Sequence, residues 1–207
     1  MKKTILLLLA VFLAVNLQAQ DNMKAAQQAV ATFLRSFAGT VSEDNYKMFG
    51  LRSPAEAKQL QAGQVFSVKI IKLDDLKRYE GGEVSRLLSD VGRFICTIRN
   101  QETQQTTGIA DLEYQKESFV VKGYSGSEIA KAFDRVDKRV LDQNFSVVRI
   151  PALNVYFGAF SDADNQLNFV SLQDSPTLQT EVGDTRPAAE FVKLLVPLAN
   201  NYNGLPW

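Results

Sequence analysis

The clearest hydrophobic pattern in the chain lies between Arg93 and Tyr124 and predicts three short β-strands. Within residues 94–99, apolar and more polar side chains alternate, which is the period-two pattern of a half-buried strand. Two more apolar runs, 107–114 and 119–124, follow after polar turns of three to five residues. Short strands joined by such turns are typical of an antiparallel meander, so we expect the rest of the fold to pack on this unit.

The segment before the meander shows helical periodicity. From residue 23 to residue 38 the apolar side chains recur at i, i+4 and i+7, which places them on one face of an amphipathic helix. Residues 53–56, Ser-Pro-Ala-Glu, are a typical helix start, and Gly63 is placed to end that short helix. Alternation over residues 66–70 then predicts a strand.

The segment after the meander predicts two more helices with strands between them. Ser125 and Glu128 have the spacing of a capping box and begin a helix whose apolar stripe continues to Val140. The last helix is expected to start at residues 185–187, Thr-Arg-Pro, and to have a kink at Pro197. The strands predicted between these helices are residues 145–150, 153–160 and 167–172.

The order of these elements indicates an α+β fold. Helices lie at both ends and in the middle, and the strands between them are grouped as hairpins, which does not fit a repeating βαβ order. No Gly-, Ser- or Pro-rich linker divides residues 20–207, so we expect a single domain with a mostly antiparallel sheet and helices packed on one face. Residues 66–68 and 145–147 share the sequence Phe-Ser-Val, which is too short to establish an internal duplication.

The first 19 residues have the layout of a secretory signal peptide. Lys2 and Lys3 form a charged start, residues 5–15 are almost entirely apolar, and Ala19 is the small residue at the expected cleavage point. An apolar helix of these eleven residues rises only about 16 Å, far less than the roughly 30 Å core of a bilayer. We therefore expect cleavage after Ala19, location in the periplasm or outside the cell, and no stable membrane span after cleavage.

Residues 49–79 carry several short motifs in sequence: Ser-Pro-Ala-Glu-Ala, then Gly63, Phe-Ser-Val at 66–68 and Leu-Asp-Asp-Leu at 73–76. With the meander that follows, this arrangement resembles small exported bacterial proteins of unassigned function. The resemblance covers residues 49–125. It implies export and implies no particular activity.

The charge balance and the cysteine content exclude several kinds of interaction. The chain has 23 basic and 23 acidic side chains, and loss of Lys2 and Lys3 with the leader leaves 21 basic against 23 acidic ones. No basic run is present, so nothing indicates binding to nucleic acid or to an anionic membrane. Cys96 is the only cysteine, so no internal disulfide is possible, and its apolar strand context indicates a buried thiol.

The catalytic repertoire of the chain is narrow. It contains no histidine, which excludes Ser-His-Asp and Cys-His catalysis and histidine-ligated zinc. No glycine-rich phosphate loop or dinucleotide motif occurs, so we predict no cofactor, no metal site and no catalytic residue. Residues 123–127 lack the second glycine of a nucleophile elbow, and the acidic residues 162–166 are better interpreted as a hairpin turn than as a calcium loop.

Three aromatic side chains are the candidate ligand-binding residues: Tyr114, Tyr124 and Tyr156. Each falls on a predicted strand, mostly opposite the more apolar face, where exposed rings can form a surface for a ligand or partner. Packing of these rings beneath a helix or a neighbouring loop is the alternative interpretation.

The favoured hypothesis is an exported, non-catalytic binding or interaction protein of the bacterial cell envelope, with an unknown small ligand or an envelope protein as its partner. One alternative is a hydrolase of an envelope polymer, which needs two carboxylates in one cleft and at least one carboxyl pKa raised by burial. Its candidate carboxylates are Asp74, Asp75, Asp111, Glu113, Asp162 and Asp164. The other alternative is a structural subunit of an envelope assembly, which would expose an apolar patch too large for a monomer.

Overall fold

An eight-stranded β-sheet organises the part of the chain that the computed structural model describes, residues 21–126 and 128–204. The expected leader, residues 1–19, lies outside the described residues. The strands are β1 (Leu60–Ile70), β2 (Ser89–Asn100), β3 (Thr106–Gln115), β4 (Ser118–Ser125), β5 (Ser146–Ile150), β6 (Val155–Ser161), β7 (Leu167–Ser171) and β8 (Thr185–Pro187). Across the sheet their order is β4-β3-β2-β1-β5-β6-β7-β8.

Two antiparallel meanders meet at the centre of this sheet. Strands β1–β4 form the first meander and β5–β8 the second, and the central strands β1 and β5 run parallel. Ser67 lies opposite Ser146, so the two Phe-Ser-Val segments stand side by side in register. The rings of Phe66 and Phe145 meet edge to face, with 5.0 Å between their centroids. The predicted single α+β domain with a mostly antiparallel sheet is therefore confirmed.

The helices connect and cover these strands. They are α1 (residues 21–38), α2 (Leu73–Lys77), α3 (Glu128–Ala132), α4 (Lys138–Leu141) and α5 (Ala188–Asn201), with 3-10 turns at Tyr46–Phe49, Pro54–Gln59, Val84–Leu87 and Pro151–Leu153. Helices α1 and α5 span several turns, and each is long enough to cover one meander.

One face of the first meander, called face A here, is covered by α1. The apolar side of this helix, which includes Val30 and Phe37, is buried against Val65 of β1 and Cys96 of β2. The i, i+4 spacing of its apolar residues places them on one side, because an α-helix turns once in 3.6 residues. The amphipathic helix predicted here is therefore confirmed.

Helix α5 covers face A of the second meander. The ring of Phe191 is fully buried, and its centroid lies 4.7 Å from that of Phe157 and 6.4 Å from that of Phe169. The predicted last helix is present, and it continues through Pro197 to Asn201. The residues expected to start it, Thr185–Pro187, instead form β8 at the edge of the sheet.

The opposite face, face B, is covered at its centre by residues 128–145. Phe133 stacks on Phe66 of β1 with 5.2 Å between the ring centroids. The prediction that all helices pack on one face is therefore wrong. The physical reason is that the central strands bury apolar side chains on both faces, as the neighbouring residues Val147 and Val148 show, and each face needs its own cover.

Gly63 was predicted to end a short helix, and this prediction is wrong. The residue lies inside β1. The short segment Pro54–Gln59 is a 3-10 turn, and the Glu56 carboxylate accepts a hydrogen bond from the Arg52 backbone N–H at 2.7 Å. A Cβ atom at Gly63 would collide with the side chain of Thr97 on β2. The glycine therefore permits a close approach of two strands at a bulge. In the sequence alone, a glycine with this role looks the same as a glycine that ends a helix.

The single helix predicted from Glu128 to Val140 is divided into α3 and α4. Between them, both carboxylate oxygens of Asp134 accept hydrogen bonds from Thr106, one from its backbone N–H at 2.7 Å and one from its hydroxyl at 2.6 Å. Asp137 then starts α4, because its carboxylate accepts a hydrogen bond from the Arg139 N–H at 2.8 Å. These polar contacts draw the chain towards the sheet and interrupt the helical backbone.

The burial of Cys96 has a direct chemical consequence. Burial raises the pKa of its thiol to about 12, so roughly one molecule in ten thousand carries a thiolate at pH 8. We expect a thiol reagent such as dithiobisnitrobenzoate to leave the native protein unmodified and to titrate one thiol per chain in guanidinium chloride. Rapid modification of the native protein would contradict this placement of β2.

Candidate functional site

Tyr124 is half-buried and packs against the core beneath a helix. It lies on β4 under α1, with its ring centroid 4.9 Å from that of Phe37. Its hydroxyl donates a hydrogen bond to the backbone carbonyl of Phe49 at 3.2 Å, and burial raises the pKa of this phenol to about 12. For this residue the alternative interpretation, packing beneath a helix, describes the structure.

Tyr114 is exposed at the end of β3, where 44% of its surface is accessible. Its ring packs on Phe119 of β4, with 5.0 Å between the ring centroids. Both residues lie beside the tight turn formed by Lys116 and Glu117, which have the positive φ angles of a type I′ hairpin. Tyr114 therefore belongs to the hairpin end of the first meander, beside the β3–β4 turn.

Tyr156 lies on face B, so the structure does not bring the three tyrosines together. It is half-buried on β6, directly opposite Arg149 of β5. The Arg149 guanidinium stands over the Tyr156 ring at 5.4 Å from its centroid, within the range of a cation–π contact. Of the three candidate residues, Tyr156 is the one with a charged neighbour in position to share a ligand.

Charged side chains continue from Tyr156 across face B. The strands of both meanders contribute to this group, which we call the charged strip: Arg93, Asp111, Glu113, Lys122 and Arg149. The strip contains two ion pairs: the Lys122 ammonium lies 3.2 Å from the Glu113 carboxylate, and Arg149 pairs with Asp111. The strip carries three cations and two anions, so its net charge is positive.

Arg149 is the least exposed cation of the strip, with 18% of its side chain accessible. One terminal nitrogen donates a hydrogen bond to the Asp111 carboxylate at 2.7 Å. The Nε atom is buried, and no described residue accepts a hydrogen bond from it. A guanidinium normally pairs with a carboxylate through two parallel hydrogen bonds. Arg149 makes one such bond to Asp111, so its guanidinium is held in place and has further N–H donors beyond that bond.

The carboxylates proposed for a hydrolase lie in three separate places. Asp74 and Asp75 are on α2, Asp162 and Asp164 are in the turn after β6, and Asp111 and Glu113 are on β3. The pKa of Glu113 is lowered, first by a hydrogen bond with the Gln115 side chain and then by Lys122. The pKa of Asp162 is also lowered, mainly by a hydrogen bond from Asn168. A catalytic acid needs the opposite shift, so these two groups do not provide one.

Two further features bear on the chemistry of the described residues. Within 21–126 and 128–204, no three His, Cys, Asp or Glu side chains come together in a group that could hold a metal ion. None of the helices in these same segments has both the length and the apolar character needed to cross a bilayer.

The candidate site residue that the sequence did not reveal is Arg149. The signal available in the sequence was a cation inside the apolar run 145–150. Burial of a charged group costs free energy, so a cation in such a run indicates a special role. Its partner Asp111 could not be identified in the same way. The two residues are 38 positions apart, and β2 and β1 lie between their strands.

Comparison of the chain with protein-family models, with curated protein sequences and with solved structures finds no match.

Proposed function

We propose that this chain is an exported, non-catalytic binding protein of the bacterial cell envelope, and that it binds a small oxyanion-bearing ligand on the charged strip. The observation that carries this proposal is Arg149, a guanidinium largely removed from solvent and paired through a single hydrogen bond to Asp111. The leader-like pattern of residues 1–19 and the absence of histidine in the sequence support export and a non-catalytic role.

The remaining donor capacity of Arg149 specifies the chemistry of the ligand. A carboxylate or a similar oxyanion accepts hydrogen bonds from a guanidinium in a planar, charge-assisted geometry. Because desolvation of Arg149 has already occurred in the folded protein, the ligand meets a cation that water competes for only weakly. The positive net charge of the strip favours the approach of an anion.

Tyr156 specifies the other part of the ligand. Its half-buried ring is fixed beneath the Arg149 guanidinium and offers a flat apolar surface beside the charge. A ligand with a planar or sugar-like body next to its oxyanion can contact the ring and the guanidinium together. Lys122 and Arg93 lie further along the strip and can contact additional anionic groups of a longer ligand.

Isothermal titration calorimetry with benzoate and benzamide tests this proposal. The two probes share a planar ring and have almost the same shape, but only benzoate carries an oxyanion. We expect benzoate to bind in the millimolar range and benzamide to bind at least about tenfold more weakly, since loss of a charge-assisted hydrogen bond removes about 1.5–3 kcal/mol.

The matched variants are Arg149→Gln and Arg186→Gln. Arg186 is also an arginine beside an aspartate and over an aromatic ring, 3.7 Å from Asp184 and 5.7 Å from the Phe191 centroid, but it lies outside the strip. We expect Arg149→Gln to abolish the difference between the two probes and Arg186→Gln to preserve it. Equal binding of benzoate by both variants, or equal affinity of the native protein for both probes, would contradict the proposal.

A further inference from the structure

The outer edge of β4 is the longer open edge of the sheet. Strand β4 pairs with β3 on one side, and no described residue pairs with it on the other. The strand has eight residues, whereas β8 at the opposite edge has three. An unpaired edge of this length offers backbone donors and acceptors to a second strand.

The register of the β3–β4 hairpin shows which backbone groups are free. Gln115 and Ser118 close a two-residue turn, so their backbone groups bond to each other. Inward and outward groups then alternate along the strand, and Val120 bonds to Glu113. The N–H and C=O groups of Phe119 and Val121 therefore point away from the sheet.

This edge is complementary to itself. If two copies of β4 run antiparallel around a two-fold axis at Val120, Phe119 of each copy faces Val121 of the other. The free groups of these residues then form four backbone hydrogen bonds. Val120 meets its own counterpart across the axis on face B, and it is 39% exposed in the single chain.

The side chains beside the edge agree with this pairing. On face A, a groove of about 570 Å³ runs along Phe119 and Val121 and is bordered by Ala25, Ala29 and Phe33 of α1. The facing Phe119 and Val121 side chains of a second copy would enter this apolar groove. On face B, the same register places Ser118 of one copy opposite Lys122 of the other, twice by symmetry, so no like charges face each other there.

We propose that the protein forms a symmetric dimer through antiparallel pairing of β4 with β4 of a second copy, centred on Val120. The two eight-stranded sheets then join into one continuous sheet, and the charged strips of both copies lie on the same face of it. The bulge between Asp111 and Leu112 ends the regular part of β4 near Gly123 and limits the pairing to the hairpin half of the strand. This proposal does not depend on the ligand-binding role of the strip.

Sedimentation equilibrium of the protein, expressed from its full sequence and purified with its N-terminus checked by mass spectrometry, tests the dimer. We expect the mass of two chains at micromolar concentration. Val120→Lys and Val120→Glu each place like charges on the axis and should raise the dissociation constant roughly 100-fold. An equimolar mixture of the two variants should restore the dimer, because lysine then faces glutamate across the axis.

Val121→Pro provides the second test, because it removes an outward N–H group without removing a bond to β3. It should also give a monomer, and circular dichroism should show an unchanged fold. A native protein that remains monomeric at 100 µM overturns the proposal. A dimer unaffected by Val120→Lys and Val121→Pro overturns it as well, and so does a variant mixture that fails to pair.

Discussion

Replacement of Phe191 by alanine should lower the free energy of unfolding by about 3–5 kcal/mol, the typical cost of removing a fully buried aromatic ring. The Phe191 ring lies between α5 and the second meander, in contact with Phe157 and Phe169, and none of its surface is accessible. Its loss leaves a cavity that two rigid neighbouring rings cannot fill. For a chain of this size the melting temperature should fall by roughly 6–20 °C in a thermal unfolding experiment.

The matched control is Leu194→Ala on the same helix. Leu194 is one of the exposed apolar residues, with 41% of its surface accessible, so its truncation removes little buried contact. We expect a change below about 1 kcal/mol. Similar losses in both variants would mean that α5 does not pack on face A in the orientation described.

Replacement of Gly158 by alanine should cost about 1–3 kcal/mol, because the new methyl group overpacks face B. A Cβ atom at this position would collide with the ring of Phe145 and would lie 2.8 Å from a methyl carbon of Val170. Chemical denaturation of the variant measures the cost. Combining Gly158→Ala with Phe145→Ala should destabilise the protein by less than the sum of the two single changes, because the second change removes the obstruction.

Gly123→Ala is the control for this second experiment. Gly123 also lies in a strand, but a Cβ atom there would have no neighbour within 4 Å. Its replacement should be close to neutral or slightly stabilising, since alanine has less freedom than glycine in the unfolded chain. A large loss at Gly123 together with none at Gly158 would contradict the assignment of residues to face B.

The local elements could be predicted from the sequence because their signals are local. The meander follows from the alternation over residues 94–99 and from the two polar turns, and α1 follows from the spacing of its apolar side chains. Errors arose where a residue serves a distant partner. Gly63 accommodates Thr97, and Asp134 binds Thr106, so neither residue reports on the helix next to it in sequence.

The arrangement of the two meanders could not be predicted for the same reason. Parallel pairing of β1 with β5 joins segments almost 80 residues apart, and its only trace in the sequence was the repeated Phe-Ser-Val at 66–68 and 145–147. The double-sided burial of the central strands was visible as adjacent apolar residues, Val147 and Val148. That pattern indicates cover on both faces, which the expectation of helices on one face did not take into account.

The candidate site could be predicted from the sequence even less completely than the fold. Tyr156 was identified as a candidate, but Tyr124 was given the same weight and packs beneath α1. What distinguishes the two residues is the neighbour of each ring, a helix in one case and Arg149 in the other. The ion pair of Arg149 with Asp111 crosses from the second meander to the first, so the charged strip exists only when both meanders are assembled.

The measurement that tests the central claim most directly is an NMR titration of the arginine Nε–Hε signals with benzoate and with benzamide. The Nε–H group of Arg149 is buried and has no described acceptor, so its signal should be protected from exchange with water and distinct from those of exposed arginines. We expect benzoate to shift this signal in a saturable way, together with the ring signals of Tyr156, and benzamide to leave the Nε–Hε signal in place. Equal shifts with both probes, or a benzoate response confined to other arginines, would contradict an oxyanion site at Arg149.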